Sequence, residues 1–116
     1  MRTNIAKIYT FDAAHFLPSY PGKCQNLHGH TFKAEIRITG PVKEDGMIID
    51  FAILKEHLEM LGLDHTSLNN ILHNPTAENL CSWIFAALRR VVNDGKIRIT
   101  RVRVWETESC YAEIEE

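Results

Sequence analysis

The chain has 116 residues, 45% of them hydrophobic and 24% charged, a composition that fits one globular domain over 1–116 and leaves no room for a second. A net charge of −2 lacks the bulk basic footprint of a nucleic-acid binder, so no nucleic-acid partner is expected. Met1 to Lys7 has no apolar run of the signal-peptide kind and no segment is apolar for long enough to span a bilayer, so neither secretion nor a membrane is expected. Three cysteines without a CxxC spacing argue against a disulfide framework and for a reducing cytoplasm.

Asn4 to His15, rich in Ile, Tyr and Phe, reads as a strand of imperfect alternation, and Pro18, Pro21 and Gly22 mark the loop after it. From His30 to Thr39 the alternation is clean: Phe32, Ala34, Ile36 and Ile38 face one way, Thr31, Lys33, Glu35, Arg37 and Thr39 the other. Gly40-Pro41 ends this strand. Asp50 is placed to cap a helix with Phe51, Leu54, Leu58 and Leu61 at helical spacing, which Gly62 stops. A second helix is predicted from Pro75-Thr76, burying Ala77, Leu80, Cys81, Ile84, Leu88 and Val91, and closing at Asn93-Asp94-Gly95. Arg101 to Glu106 and Cys110 to Ile114 read as a last pair of strands. The order β-β-α-α-β-β predicts an α+β domain, a four-stranded antiparallel sheet with two helices on one face. So short a chain gains core by oligomerising, which would also cover sheet edges.

His28-Gly29-His30 is the strongest local signal. Residues two apart in an extended chain point to one side, so both imidazoles can reach one ion. A catalytic zinc uses three protein ligands and leaves a fourth position open. His15, at the end of the preceding strand, is the natural third ligand if the two strands pair. A cupin is excluded: Glu35 falls on the wrong face for its carboxylate ligand, and two substantial helices do not suit a jelly roll.

Cys24, in a polar loop four residues before His28, reads either as a closing zinc ligand or as a thiol beside the metal able to act as a general base. Cys81 and Cys110 sit in apolar periodic patterns and read as small buried hydrophobes. Asp64-His65 could form a carboxylate–imidazole pair, or be a polar helix-end dipeptide. His57 and His73 read as bland. Glu106 shares the parity of Val102 and Val104 and should point to the apolar side, where a carboxylate needs a partner: an arginine, or the paired N–H donors of an amino-pyrimidinone ring.

Six ordered blocks cover nearly the whole chain: Phe11 to His15, Cys24 to His30, Ile49-Asp50-Phe51, Leu63-Asp64-His65 with Leu68-Asn69, Asn74 to Asn79, and Trp105-Glu106-Thr107. In these the chain resembles the 6-pyruvoyltetrahydropterin and 6-carboxytetrahydropterin synthase family. The resemblance implies a tunnelling fold, in which subunits join their sheets into a barrel as a homo-oligomer, trimer or hexamer. It implies Zn2+ held by His15, His28 and His30, and 7,8-dihydroneopterin triphosphate as substrate. Cys24 would be the proton-abstracting base, Asp64 and His65 the second proton-transfer pair, and Glu106 the anchor of the pterin edge. The short spacing from Cys24 to His28 resembles the 6-carboxytetrahydropterin synthase branch of 7-deazaguanine and queuosine synthesis, although Thr66-Ser67 departs from the His-Tyr pair common there. The expected reaction gives 6-carboxytetrahydropterin, acetaldehyde and triphosphate. The alternatives are the pyruvoyl-forming lyase, which stops at triphosphate elimination, and a non-catalytic, zinc-stabilised pterin-binding module.

Overall fold

Two long strands, β1 (Thr3–His15) and β2 (His28–Gly40), pair antiparallel along their whole length, from Thr3 opposite Gly40 to His15 opposite His28. The computed structural model describes all 116 residues, Met1–Glu116. Alternation along the ribbon sends Phe11, Ala13, His15, Phe32, Ala34, Ile36 and Ile38 to one face, where all are buried. Asp12, Thr31, Lys33, Glu35 and Arg37 occupy the other.

Helix α1 (Phe51–Glu59) starts as the sequence predicts, with the Asp50 side chain accepting a hydrogen bond from the Ala52 N–H. Helix α2 (Ala77–Val92) is capped by Thr76, whose hydroxyl accepts from the Asn79 N–H at 3.1 Å. Its buried stripe is Ala77, Leu80, Cys81, Ile84, Phe85, Leu88 and Val92. Val91, predicted to face the core, is 56% exposed; the helical turn delivers Val92 there instead.

Strands β4 (Arg98–Thr107) and β5 (Cys110–Glu115) complete the antiparallel part of the sheet. A fifth strand, β3 (Thr66–Ser67), joins parallel to β1 at Ala13 and Ala14, giving the order β3-β1-β2-β4-β5. Two residues are too few to show an alternation, which is why four strands were expected. The helices pack on the apolar face around a core of 21 buried residues. Glu35 meets Arg101 at 2.8 Å and Glu113 meets Arg103 at 2.7 Å on the opposite, charged face. Cys81 is buried as predicted, and its burial pushes the thiol up to about 11. Cys110 is exposed, not buried, because it opens β5 next to the tight turn at Glu108-Ser109.

Candidate metal centre and proton-transfer pair

The β1–β2 register sets His15 directly opposite His28 and Ala13 opposite His30, so three imidazoles stand together at the end of the apolar face. Their ring centroids are 4.6 to 5.3 Å apart and meet edge to face. Phe32 packs edge-on against both His15 and His30 from the core side.

Second partners fix the rings. Nδ1 of His15 lies 2.8 Å from the carbonyl oxygen of Pro75, and Nδ1 of His28 lies 2.7 Å from that of Asn26. A carbonyl can only accept, so each Nδ1 carries a proton, and in the neutral ring the lone pair is then on Nε2. His15 is fully buried, and its Nε2 has no hydrogen-bond partner. Oε1 of Glu106 lies 3.1 Å from that atom and 3.3 Å from Nε2 of His30, close in distance but without hydrogen-bonding geometry to His15. A buried lone pair facing a carboxylate oxygen is unfavourable unless a cation stands between them. Burial holds the His30 imidazole below its usual range; Glu106 opposes this and the other two histidines add to it, so His30 favours the neutral, ligating form.

One ligand atom from each of His15, His28, His30 and Glu106 lies within 4.8 Å of the others, a group able to hold a metal ion. It has four members where the sequence led to three. Glu106 points to the apolar side as its parity predicted, but its partners there are imidazoles and not an arginine. Cys24 is not in the group. It lies half-buried in a 3-10 turn, Lys23–Gln25, pinned by its carbonyl, which accepts from the Leu17 N–H at 2.7 Å.

Asp64 and His65 do pair: Nδ1 of His65 lies 2.9 Å from Oδ2 of Asp64. The Asp64 carboxyl is held below its ordinary value, first by the Asp12 N–H and then by His65, while the hydrogen bond its ring donates to Asp64 raises the His65 imidazole. Both residues are exposed and gather around Asp12, which alternates with the histidine-bearing positions. The pair therefore belongs to the opposite side of the sheet from the imidazole cluster. There it borders an open depression of about 630 Å3, lined also by Asp12, Ala14, Gly29 and Thr31, and reached by His30 of the cluster.

On the cluster's own side, Glu106 also lines a smaller cleft of about 210 Å3 with Glu78, Cys110 and Tyr111. Glu78 was missed by sequence reasoning. It sits on the first turn of α2, where an acid reads as a helix-dipole partner.

Residues 4–116 match the family model described as 6-pyruvoyl tetrahydropterin synthase. The chain belongs to that family. A 6-carboxy-5,6,7,8-tetrahydropterin synthase of Synechocystis sp. is 44% identical over 113 residues, covering 89% of this chain and 85% of the relative. A dihydroneopterin monophosphate aldolase of Pyrococcus furiosus is 35% identical and spans 99% of both chains. The structure of Caenorhabditis elegans 6-pyruvoyl tetrahydropterin synthase superposes with a TM-score of 0.86 at 23% identity, over 100% of this chain and 96% of that one, which gives the same fold.

Proposed function

We propose that this chain is a zinc-dependent 6-carboxytetrahydropterin synthase, converting 7,8-dihydroneopterin triphosphate to 6-carboxytetrahydropterin, acetaldehyde and triphosphate. The observation that carries the reading is the buried, unpartnered Nε2 of His15 among two further imidazoles, in a chain 44% identical to a relative of that name.

His15, His28 and His30 would hold the zinc. When bound, zinc supplies Lewis acidity to the hydroxyls of the substrate's side chain. The carbonyls of Pro75 and Asn26 keep two ligand rings in one tautomer and one orientation. Cys24 takes the proton from side-chain carbon. Asp64 holds the Nδ1–H of His65, so the working atom of that imidazole is Nε2. Because the pair and the histidines lie on opposite sides of one sheet, each chain lends its Asp64–His65 pair to a neighbouring copy in a trimer or hexamer. Glu106, with Glu78 across the cleft, accepts the paired N–H groups of the pterin edge.

The full-length likeness to a dihydroneopterin monophosphate aldolase favours a second reading, aldol cleavage of the same kind of side chain. Incubation of the zinc-loaded protein with 7,8-dihydroneopterin triphosphate, followed by mass analysis, decides between them. Acetaldehyde equimolar with triphosphate is expected. Triphosphate without aldehyde makes it the pyruvoyl-forming lyase, and a two-carbon aldehyde still esterified to the triphosphate makes it an aldolase. If nothing is consumed, the non-catalytic pterin-binding module stands in its place. Cys24→Ala should keep its zinc and lose about 100-fold or more in turnover, as expected for a general base; joint loss of zinc and fold would make Cys24 a structural ligand.

A further inference from the structure

Asp12 is in contact with the Asp64–His65 pair through three separate groups. Its N–H donates to Oδ1 of Asp64 at 2.9 Å, and its carbonyl accepts from the N–H of His65 at 2.6 Å. Its carboxylate lies within 4.8 Å of the polar atoms of both. The hydroxyl of Thr31, directly across the β1–β2 ladder, donates to Oδ1 of Asp12.

We propose that Asp12 is the positioning residue of the Asp64–His65 pair: its main chain clamps both members, and its carboxylate, tethered by Thr31, presents a second negative charge to the imidazole. The proposal rests on reading that pair as a proton-transfer group, and reaches beyond it to a residue on another strand.

Two features call for such a clamp. His65 has φ 57°, the left-handed region that a residue with a Cβ adopts only under constraint. No packing supplies the constraint, since both members of the pair are exposed. The bonds from the Asp12 main chain supply it: one holds the backbone of His65, the other holds the carboxylate to which the ring is bonded.

The second feature is charge. Two carboxylates this close repel one another, and a proton shared with an adjacent base relieves the repulsion. The Thr31 hydroxyl satisfies one oxygen of Asp12, and a protonated His65 answers the remaining charge. Asp64 acts on the imidazole first and Asp12 adds to it in the same direction. The other titratable group that faces Asp64 is Tyr9 of β1, whose phenol is raised by burial first and then by the carboxylates of Asp64 and of Glu59 at the end of α1. From β2 the group presented is the uncharged Thr31.

The test uses the full-length, zinc-loaded protein and two readouts. Asp12→Asn keeps both main-chain bonds and the side-chain shape but removes the charge. The His65 ring is titrated by 1H–13C NMR, and kcat and KM are measured across pH. The expected result is a downward move of the His65 midpoint and a fall in kcat of about tenfold, the scale of losing a group that orients a working residue, with KM within about twofold. Asp12→Glu should restore part of both. Thr31→Val removes the hydroxyl that answers part of the Asp12 charge, so it should move the midpoint upward, and an unmoved midpoint there decides against the proposal if Asp12→Asn does not fold. An unmoved His65 midpoint overturns the proposal. So does a kcat loss in Asp12→Asn with no change in titration, which is what a merely structural role would give. Should the protein not turn over the pterin at all, the NMR titration still reads the clamp, so failure of the proposed reaction and failure of this inference stay distinct.

Discussion

At the residue scale, the charged pair on the open side of the sheet makes stability depend on pH in a definite way. His65 is raised above its ordinary 6.5, so its contribution is complete below that value and is lost as pH rises through the raised one. Asp64 is lowered from 3.8, so its contribution is complete above that value and is lost as pH falls through the lowered one. The combined contribution should therefore be flat between about pH 4 and pH 6.5 and decline on either side. The measurement is the Tm difference between the wild-type protein and Asp64→Asn across pH. A difference that kept growing above pH 8 would contradict the pairing. Little of this could be read in the chain itself. Adjacency of Asp64 and His65 does not make them bond; the bond depends on His65 turning into the left-handed region and on the N–H of Asp12, 52 residues away. The gathering of His15 with His28 and His30 was more legible, because period-two alternation fixes the face of each residue once the two strands pair.

At the element scale, the start of α2 does two things. Thr76 caps the helix, and the carbonyl of the preceding Pro75 receives Nδ1 of His15. The Asn79 side chain ties the same segment by donating to the Asn74 carbonyl at 2.8 Å. Thr76→Ala should thus cost about 1 kcal/mol in urea unfolding, the usual worth of an N-cap. It should also weaken zinc retention against a chelator, because the carbonyl that orients His15 sits one residue away. Unchanged zinc release alongside the lost stability would separate the cap from the site. Both helices, the Asp50 cap and the clean alternation of β2 follow from sequence. The cover of β1 by β3 does not, because Thr66–Ser67 gains its strand conformation from the partner and not from its own pattern. Glu78 was hidden for a related reason: only the approach of β5 turns a first-turn acid into the wall of a cleft.

At the scale of the whole molecule, one face of the sheet is covered by helices and the other is charged and open, with β3 and β5 at its edges. The imidazole cluster and the Asp64–His65 pair stand on opposite sides of this layer, so the proposed reaction calls for two copies at each site. Mixing Cys24→Ala with His65→Ala, each inactive alone, and allowing the subunits to exchange should restore about one quarter of wild-type activity, since one in four neighbouring pairings then joins an intact cysteine to an intact pair. No recovery on proven exchange would place the whole site within one chain. No helix of the molecule is long and apolar enough to cross a membrane.

The pair His15 and His28 is the last of the thirteen rungs of the β1–β2 ladder. A slip of one position anywhere along that ribbon would carry His15 to the opposite face and leave only two imidazoles together. An ion held by the three imidazoles would thus act as a proofreader of strand register, rewarding only the alignment that also buries Phe11 and Phe32, and locking the hairpin at the end farthest from its first pair.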